Sequence, residues 1–168
     1  MEFYISQAIS ALTTLIAIWV MQCKNMKIIL IGQTMINLLV AISYFLLDGL
    51  SGAGICFIAI FQGIWIYFYT GKEKKVPLYL VVGFLVLYIA CSIVYYKSAV
   101  DLVTAAAALC YAMSIVQQKP ALSRLWYLPN PLLWCIYDWY EDAYVNLIMH
   151  LIVFASALLG ILRLDRKK

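Results

Sequence analysis

Charge is what this sequence has least of. Asp, Glu, Lys and Arg make up 12% of its 168 residues, against 66% hydrophobic residues, and the mean hydropathy is +0.94. A soluble domain of this size could not cover so much apolar surface, so lipid must be the solvent. Metal chemistry has little to work with. There is one His, and the five cysteines (Cys23, Cys56, Cys91, Cys110, Cys135) form no CxxC or zinc-like pair. They read as small apolar fillers of helices, and neither a metal nor another cofactor is expected. No Pro/Gly/Ser-rich linker or long polar tail marks a second domain. G-x-S-x-G, H-E-x-x-H, a phosphate-cradling glycine loop and paired midplane carboxylates are all missing, so no catalytic residues and no enzyme are expected.

What is present is a series of apolar segments. Seven can be read, near 4–22, 28–47, 52–70, 77–96, 99–117, 122–140 and 143–162. Each is able to cross roughly 30 Å of hydrocarbon at about 1.5 Å per residue. The first has no basic stretch before it and no A-x-A-like site after it, so it reads as a retained anchor and not as a signal peptide.

Charge position fixes the expected threading. With the N-terminus outside, Lys24, Lys27, Lys72, Lys74, Lys75, Lys119, Arg124, Arg163, Arg166, Lys167 and Lys168 all fall inside, and only Lys97 falls outside. Most acids go the other way: Glu2, Asp48, Asp101, Asp138, Glu141 and Asp142 outside, Glu73 and Asp165 inside. The positive-inside rule therefore favours seven spans, N-out and C-in, with 163–168 as a basic cytoplasmic tail. The cationic groups become a juxtamembrane stripe facing anionic lipid, and nucleic acid is not an expected partner.

Sliding the chain by about 94 residues lays the first three spans over the last three without a gap. Gln7 falls on Asp101, Ser10 on Thr104, Ala11 on Ala105, Leu38 and Leu39 on Leu132 and Leu133, and Ile42 on Ile136. Three spans are an odd number, so one extra helix is needed to restore the orientation of a second copy. The expected plan is thus 3+1+3: a first repeat over 1–70, a linker helix at 77–96, and a parallel second repeat over 99–162. The linker, nearly bare of polar groups, is expected to face lipid.

The chain resembles the bacterial inner-membrane protein family typified by YgjV along nearly its whole length. The resemblance is carried by Gln7 in a Q-x-x-small motif, the Lys24–Lys27 loop, YFLLDG at Tyr44–Gly49, Asp101-Leu102, Arg124, Trp134, Tyr137-Asp138 and Gly160-x-x-Arg163. It implies a multi-pass protein of the bacterial inner membrane. The 3+1+3 plan is also similar to that of SWEET, PQ-loop and PnuC-type transporters. Where the YgjV-type pattern has Asn and Arg in the third span this chain has Ala59 and Gln62, and where it has Asn and Glu in the last two spans this chain has Asp138 and His150.

Several polar residues lie inside the spans. Pro129 and Pro131 lack N–H groups, so the carbonyls of Leu125 and Tyr127 lose their helical partners. Unpaired carbonyls in hydrocarbon cost several kcal/mol in order of magnitude, so they must face protein, water or a ligand. Either the kink opens a cavity beside Asn130, or it fits a neighbouring helix with Asn130 satisfying the freed carbonyls. His150 lies one turn from Asn146 on one face of the last span. A tight 138–145 hairpin brings His150 near Asp138, as a titratable binding pair or as plain structural glue. Gln33 and Asn37 repeat the i, i+4 spacing, and Gln62 lies mid-depth. Trp134 is deeper than the other tryptophans and either stacks on a flat ligand or packs. Ala105–Ala108 and Ser156-x-x-x-Gly160 are small-residue faces for close helix contact, within the fold or in a homo-oligomer.

The expected function is transport or facilitated passage of a small polar organic solute between the two repeats. Its expected site residues are Asn37, Gln62, Asn130, Trp134, Asp138, Asn146 and His150. The alternative is a membrane scaffold, assembly or regulatory protein with the same residues paired to one another.

Overall fold

The computed structural model describes residues 2–71, 76–96, 98–140 and 143–165. The charges of Lys72, Glu73, Lys74, Lys75, Lys97, Glu141, Asp142 and Arg166–Lys168 lie outside the described residues. Among the described residues every regular element is helical. They are α1 (Glu2–Met21), α2 (Met26–Leu46), α3 (Leu50–Gly71), α4 (Leu78–Val94), α5 (Asp101–Val116), α6 (Pro120–Tyr127), α7 (Pro129–Tyr140) and α8 (Tyr144–Gly160), closed by a π-helical turn over Ile161–Asp165. Among the described residues four stretches are long and apolar enough to cross a membrane: Tyr4–Met21, Met26–Leu46, Leu50–Thr70 and Tyr144–Asp165. α4 and α5 are apolar but shorter, at 17 and 16 residues.

The segment read as a single span over 122–140 is two helices of 8 and 12 residues that meet at Leu128. The cause is the pair of prolines. The Leu128 N–H still reaches the Arg124 carbonyl at 3.0 Å. Pro129 and Pro131 then leave the next rungs without donors, while the fixed φ of Pro129 suits the first position of a new helix.

Consecutive helices pack side by side: α1 on α2, α2 on α3, α5 on α6 and α7, and α7 on α8. Two further contacts close the ring, α3 on α5 and α8 on α1, and α4 stands beside it against α3 and α5. Large apolar side chains such as Leu15, Phe57, Val86 and Ile148 point outward from this ring, an arrangement stable only with lipid around it. Trp19, Trp65, Trp126 and Trp139 are likewise exposed, and Trp134 is buried. The expectation that the linker faces lipid holds for one side of α4 only. Val81, Phe84, Tyr88 and Ser92 recur at helical spacing and are buried, and the Tyr88 hydroxyl donates to Gln62 Oε1 at 2.7 Å.

The two ends of the bundle are finished differently. At the end of α2, Asp48 takes a left-handed conformation (φ 56°) and the Gly49 N–H returns to the Tyr44 carbonyl at 2.9 Å. At the opposite end Arg124 is buried instead of facing lipid headgroups with the other cations. Its Nε donates to the Met21 carbonyl at 2.8 Å, an Nη donates to the Cys23 carbonyl, and Nη1 reaches both carboxylate oxygens of Asp165 at 2.9 Å. The guanidinium thus satisfies carbonyls orphaned at the end of α1 and ties them to the C-terminal turn. The Ser156–Gly160 face is occupied within the chain: Gln22 donates to the Ser156 carbonyl at 3.0 Å, and Gly160 lies against Met21 and Arg124.

Candidate binding site

Starting α7 at Pro129 sets which of its residues turn inward. Asn130, Trp134, Tyr137 and Asp138 follow one helical stripe and all are buried. The link to α8 is tight, with the Ala143 N–H on the Asp138 carbonyl at 2.8 Å. That turn carries His150 back to the acid, and its Nδ1 stands 2.6 Å from Asp138 Oδ2. On the other side the Tyr44 hydroxyl donates to Asp138 Oδ1 at 3.4 Å. Asp138 is 0% exposed. A carboxylate so deep persists only with partners of this kind.

An aromatic stack stands over the pair. Trp134 lies parallel to Tyr44 (centroids 5.5 Å apart, 24° between planes) and to His150 (6.0 Å, 13°). Tyr137 meets the edges of both Tyr44 and Trp134. Trp134 is thus packed against three rings of the protein itself.

Two cavities of about 50 Å³ each flank this cluster, with room for water or a few heavy atoms. One is lined by Ser10, Thr14, Ala17, Asn146, Met149, His150 and Val153, among others. The other is lined by Gln33, Asn37, Cys56, Ala59, Ala108, Tyr111, Asn130, Trp134 and His150. Ile36, Val40, Tyr44, Tyr127 and His150 border both.

The residues singled out from sequence divide accordingly. Asn37, Asn130, Trp134, Asn146 and His150 line these cavities, and Asp138 sits immediately behind His150 and Tyr44. Gln62 does not join them. It is fully buried against α4, because Tyr88 offers its amide oxygen a hydroxyl partner. Asn130 spans the two readings of the kink. It borders a cavity, and its amide donates to the Ala107 carbonyl of α5 at 2.8 Å instead of to its own helix. Asn37 donates to the Gln33 carbonyl (2.8 Å) and to the Tyr111 hydroxyl (2.7 Å).

Tyr111 and Tyr127 went unmarked in the sequence, and Tyr44 was marked there only as part of YFLLDG and not as a site residue. A signal for two of them was there. Tyr44 and Asp138 are 94 residues apart, the offset that superposes the two halves, and they touch. Gln33 and Tyr127 share that offset and line the same cavity. Some residues lining the two cavities are spaced by the same 94 positions. Thr14, Ala17, Met149, His150 and Val153 on the first correspond to Ala108, Tyr111, Ile55, Cys56 and Ala59 on the second.

Apolar helices wrapped around a buried polar cluster define a multi-pass, all-helical membrane protein. The chain belongs to the bacterial inner membrane protein family Imp-YgjV, whose family model matches residues 4–168. Two motifs that suggested this family now have structural roles: Tyr44 of YFLLDG reaches Asp138, and Gly160 makes space for Arg124. Comparison with curated proteins gives no match, and comparison with solved structures gives none.

Proposed function

We propose that the chain is a transporter or facilitator for a small polar organic solute, built as two parallel three-helix repeats with α4 as linker, and threaded N-out and C-in. One observation carries this reading: equivalent positions of the two repeats lie together, Tyr44 of α2 hydrogen-bonded to Asp138 of α7, and Gln33 of α2 lining the same cavity as Tyr127 of α6. Residues related by a two-fold axis touch only where they lie next to that axis. Two such pairs, eleven residues apart along α2, support an axis that runs along the helices and hence along the membrane normal. Closure of the ring by α3 on α5 and by α8 on α1 has the same two-fold logic, last helix of one repeat on the first of the other. A chamber on such an axis, bridged at each end by side chains, suits passage of a solute between two rocking halves.

The scaffold reading draws on the paired amides of Asn37 and Asn130. It gives no reason for two related cavities beside a buried acid. Thermal-shift screening of the purified chain against uncharged and weakly charged metabolites, followed by uptake into proteoliposomes, separates the two. Transport predicts a stabilising solute whose uptake is lost in His150→Ala with the fold retained. A dry scaffold predicts no stabilising solute and no uptake.

A further inference from the structure

Resting on that reading of the site, we propose that its solute carries a small ammonium group, which competes with a proton for Nε2 of His150. An ionised Asp138 has only acceptors, so the 2.6 Å contact assigns a hydrogen to His150 Nδ1. The other ring nitrogen, Nε2, then holds a lone pair on a ring that borders both cavities. An ammonium N–H donating to Nε2 is linked through the ring and its Nδ1–H to the buried carboxylate, so the ligand's charge is balanced across one imidazole. A proton on Nε2 balances the same carboxylate and occupies the same lone pair. Binding of the cation therefore releases one proton from His150, and nothing else changes hands.

The surroundings favour a cation over an anion or a neutral amide. No Lys or Arg among the described residues lines either cavity. The titratable groups around His150 are Tyr44, Tyr111, Tyr127 and Cys56 on the cavity walls, with Asp138, Tyr137 and Cys135 on α7. Among those described residues Asp138 is the one carboxylic acid. The cavity volume limits the buried part of the ligand to a few heavy atoms.

Equilibrium dialysis of radiolabelled methylammonium against the purified chain in phosphatidylglycerol nanodiscs, from pH 5 to pH 8, tests this. One-for-one exchange predicts a Kd that tightens by about tenfold per pH unit until the imidazole has lost its proton, then levels off. In His150→Gln the amide still bridges Asp138 to the ligand but takes no proton, so methylammonium binds with a flat pH profile. Asp138→Asn loses binding at every pH, and if that variant does not fold the His150→Gln profile decides. Competition by phosphatidylethanolamine in the nanodisc assigns the ammonium to a lipid headgroup, and its absence to a free solute. A Kd independent of pH in the unaltered chain overturns the proposal. So does labelled urea binding where methylammonium does not, although that result leaves the transport reading standing. Silence of both probes, together with no uptake of any screened solute, removes both.

Discussion

A Cβ placed on Gly160 would stand 2.7 Å from the Met21 carbonyl oxygen and 3.2 Å from the Arg124 side chain. The backbones of α8 and α1 thus approach as closely as they do because residue 160 has no side chain, and Arg124 fills the remaining space. Gly160→Ala is expected to cost about 1–3 kcal/mol, because the clash is with backbone and cannot be relieved by a rotamer change. Unfolding of the detergent-solubilised protein, followed by circular dichroism, measures it. A variant as stable as the parent would show that the α1–α8 contact is looser than described.

Arg124 should be the most sensitive cation in the chain. Truncating it to Ala leaves Asp165 and two helix-end carbonyls without their donor, and removal of one member of a buried pair costs about 3–5 kcal/mol. Lys should restore little, since one ammonium cannot reproduce the forked contacts to Met21, Cys23 and Asp165. Lys119→Ala nearby, on the helix N-cap and making no side-chain cap bond, should change stability far less. Equal losses in the two alanine variants would contradict the structural role given to Arg124.

Gly52 sits under the Tyr44 ring, where an added Cβ would lie 2.9 Å from Tyr44 Cδ2. Gly52→Ala should push that ring away from Asp138 and loosen its stack on Trp134, changing tryptophan emission with little loss of helix. Tyr44→Phe keeps the stack but removes the hydroxyl, at a cost of about 0.5–1.5 kcal/mol. Emission that changes equally in both variants would tie the signal to the hydrogen bond and not to the ring geometry.

Cys23, between α1 and α2, reports orientation and its own environment together. Burial pushes its thiol above the usual value, while the positive charge of Arg124 acts weakly in the other direction. The reactive thiolate is therefore scarcer at pH 7 than in an ordinary cysteine, and labelling should accelerate as pH rises. In a variant whose other four cysteines are Ser, an impermeant maleimide should label Cys23 in inside-out vesicles and not in spheroplasts. Labelling in spheroplasts instead would reverse the proposed threading. Arg124→Ala should slow the reaction further, because the remaining influence on the thiol is burial alone.

The helical, multi-pass character was readable from hydropathy because lipid sets a length for every crossing segment, and four of the expected spans are helices long and apolar enough to cross. The weak sixth one was readable for the opposite reason: Pro129 and Pro131 cannot donate, so a break there needed no tertiary information. The Asp138–His150 encounter was nearly readable as well, since a short hairpin constrains two helices joined by it. Gln62 was misplaced because a mid-depth amide carries no label saying which neighbour it faces, and the polar partner it found, Tyr88, sat on the helix expected to show only lipid contacts. Arg124 was misread because a cation near a span end scores the same whether it meets phosphate or helix carbonyls.

By itself the sequence determined the solvent, the helical class and the inner-membrane family, because each follows from summed transfer energies or from residues in linear order. It also contained the 94-residue offset. Only the tertiary structure decided which residues meet, by setting Tyr44 on Asp138 and Gln33 and Tyr127 on one cavity wall. Contacts between residues so far apart in the chain are chosen by which helix faces fit. That choice depends on side-chain shape and on the pairing of buried polar groups, neither of which a linear pattern records.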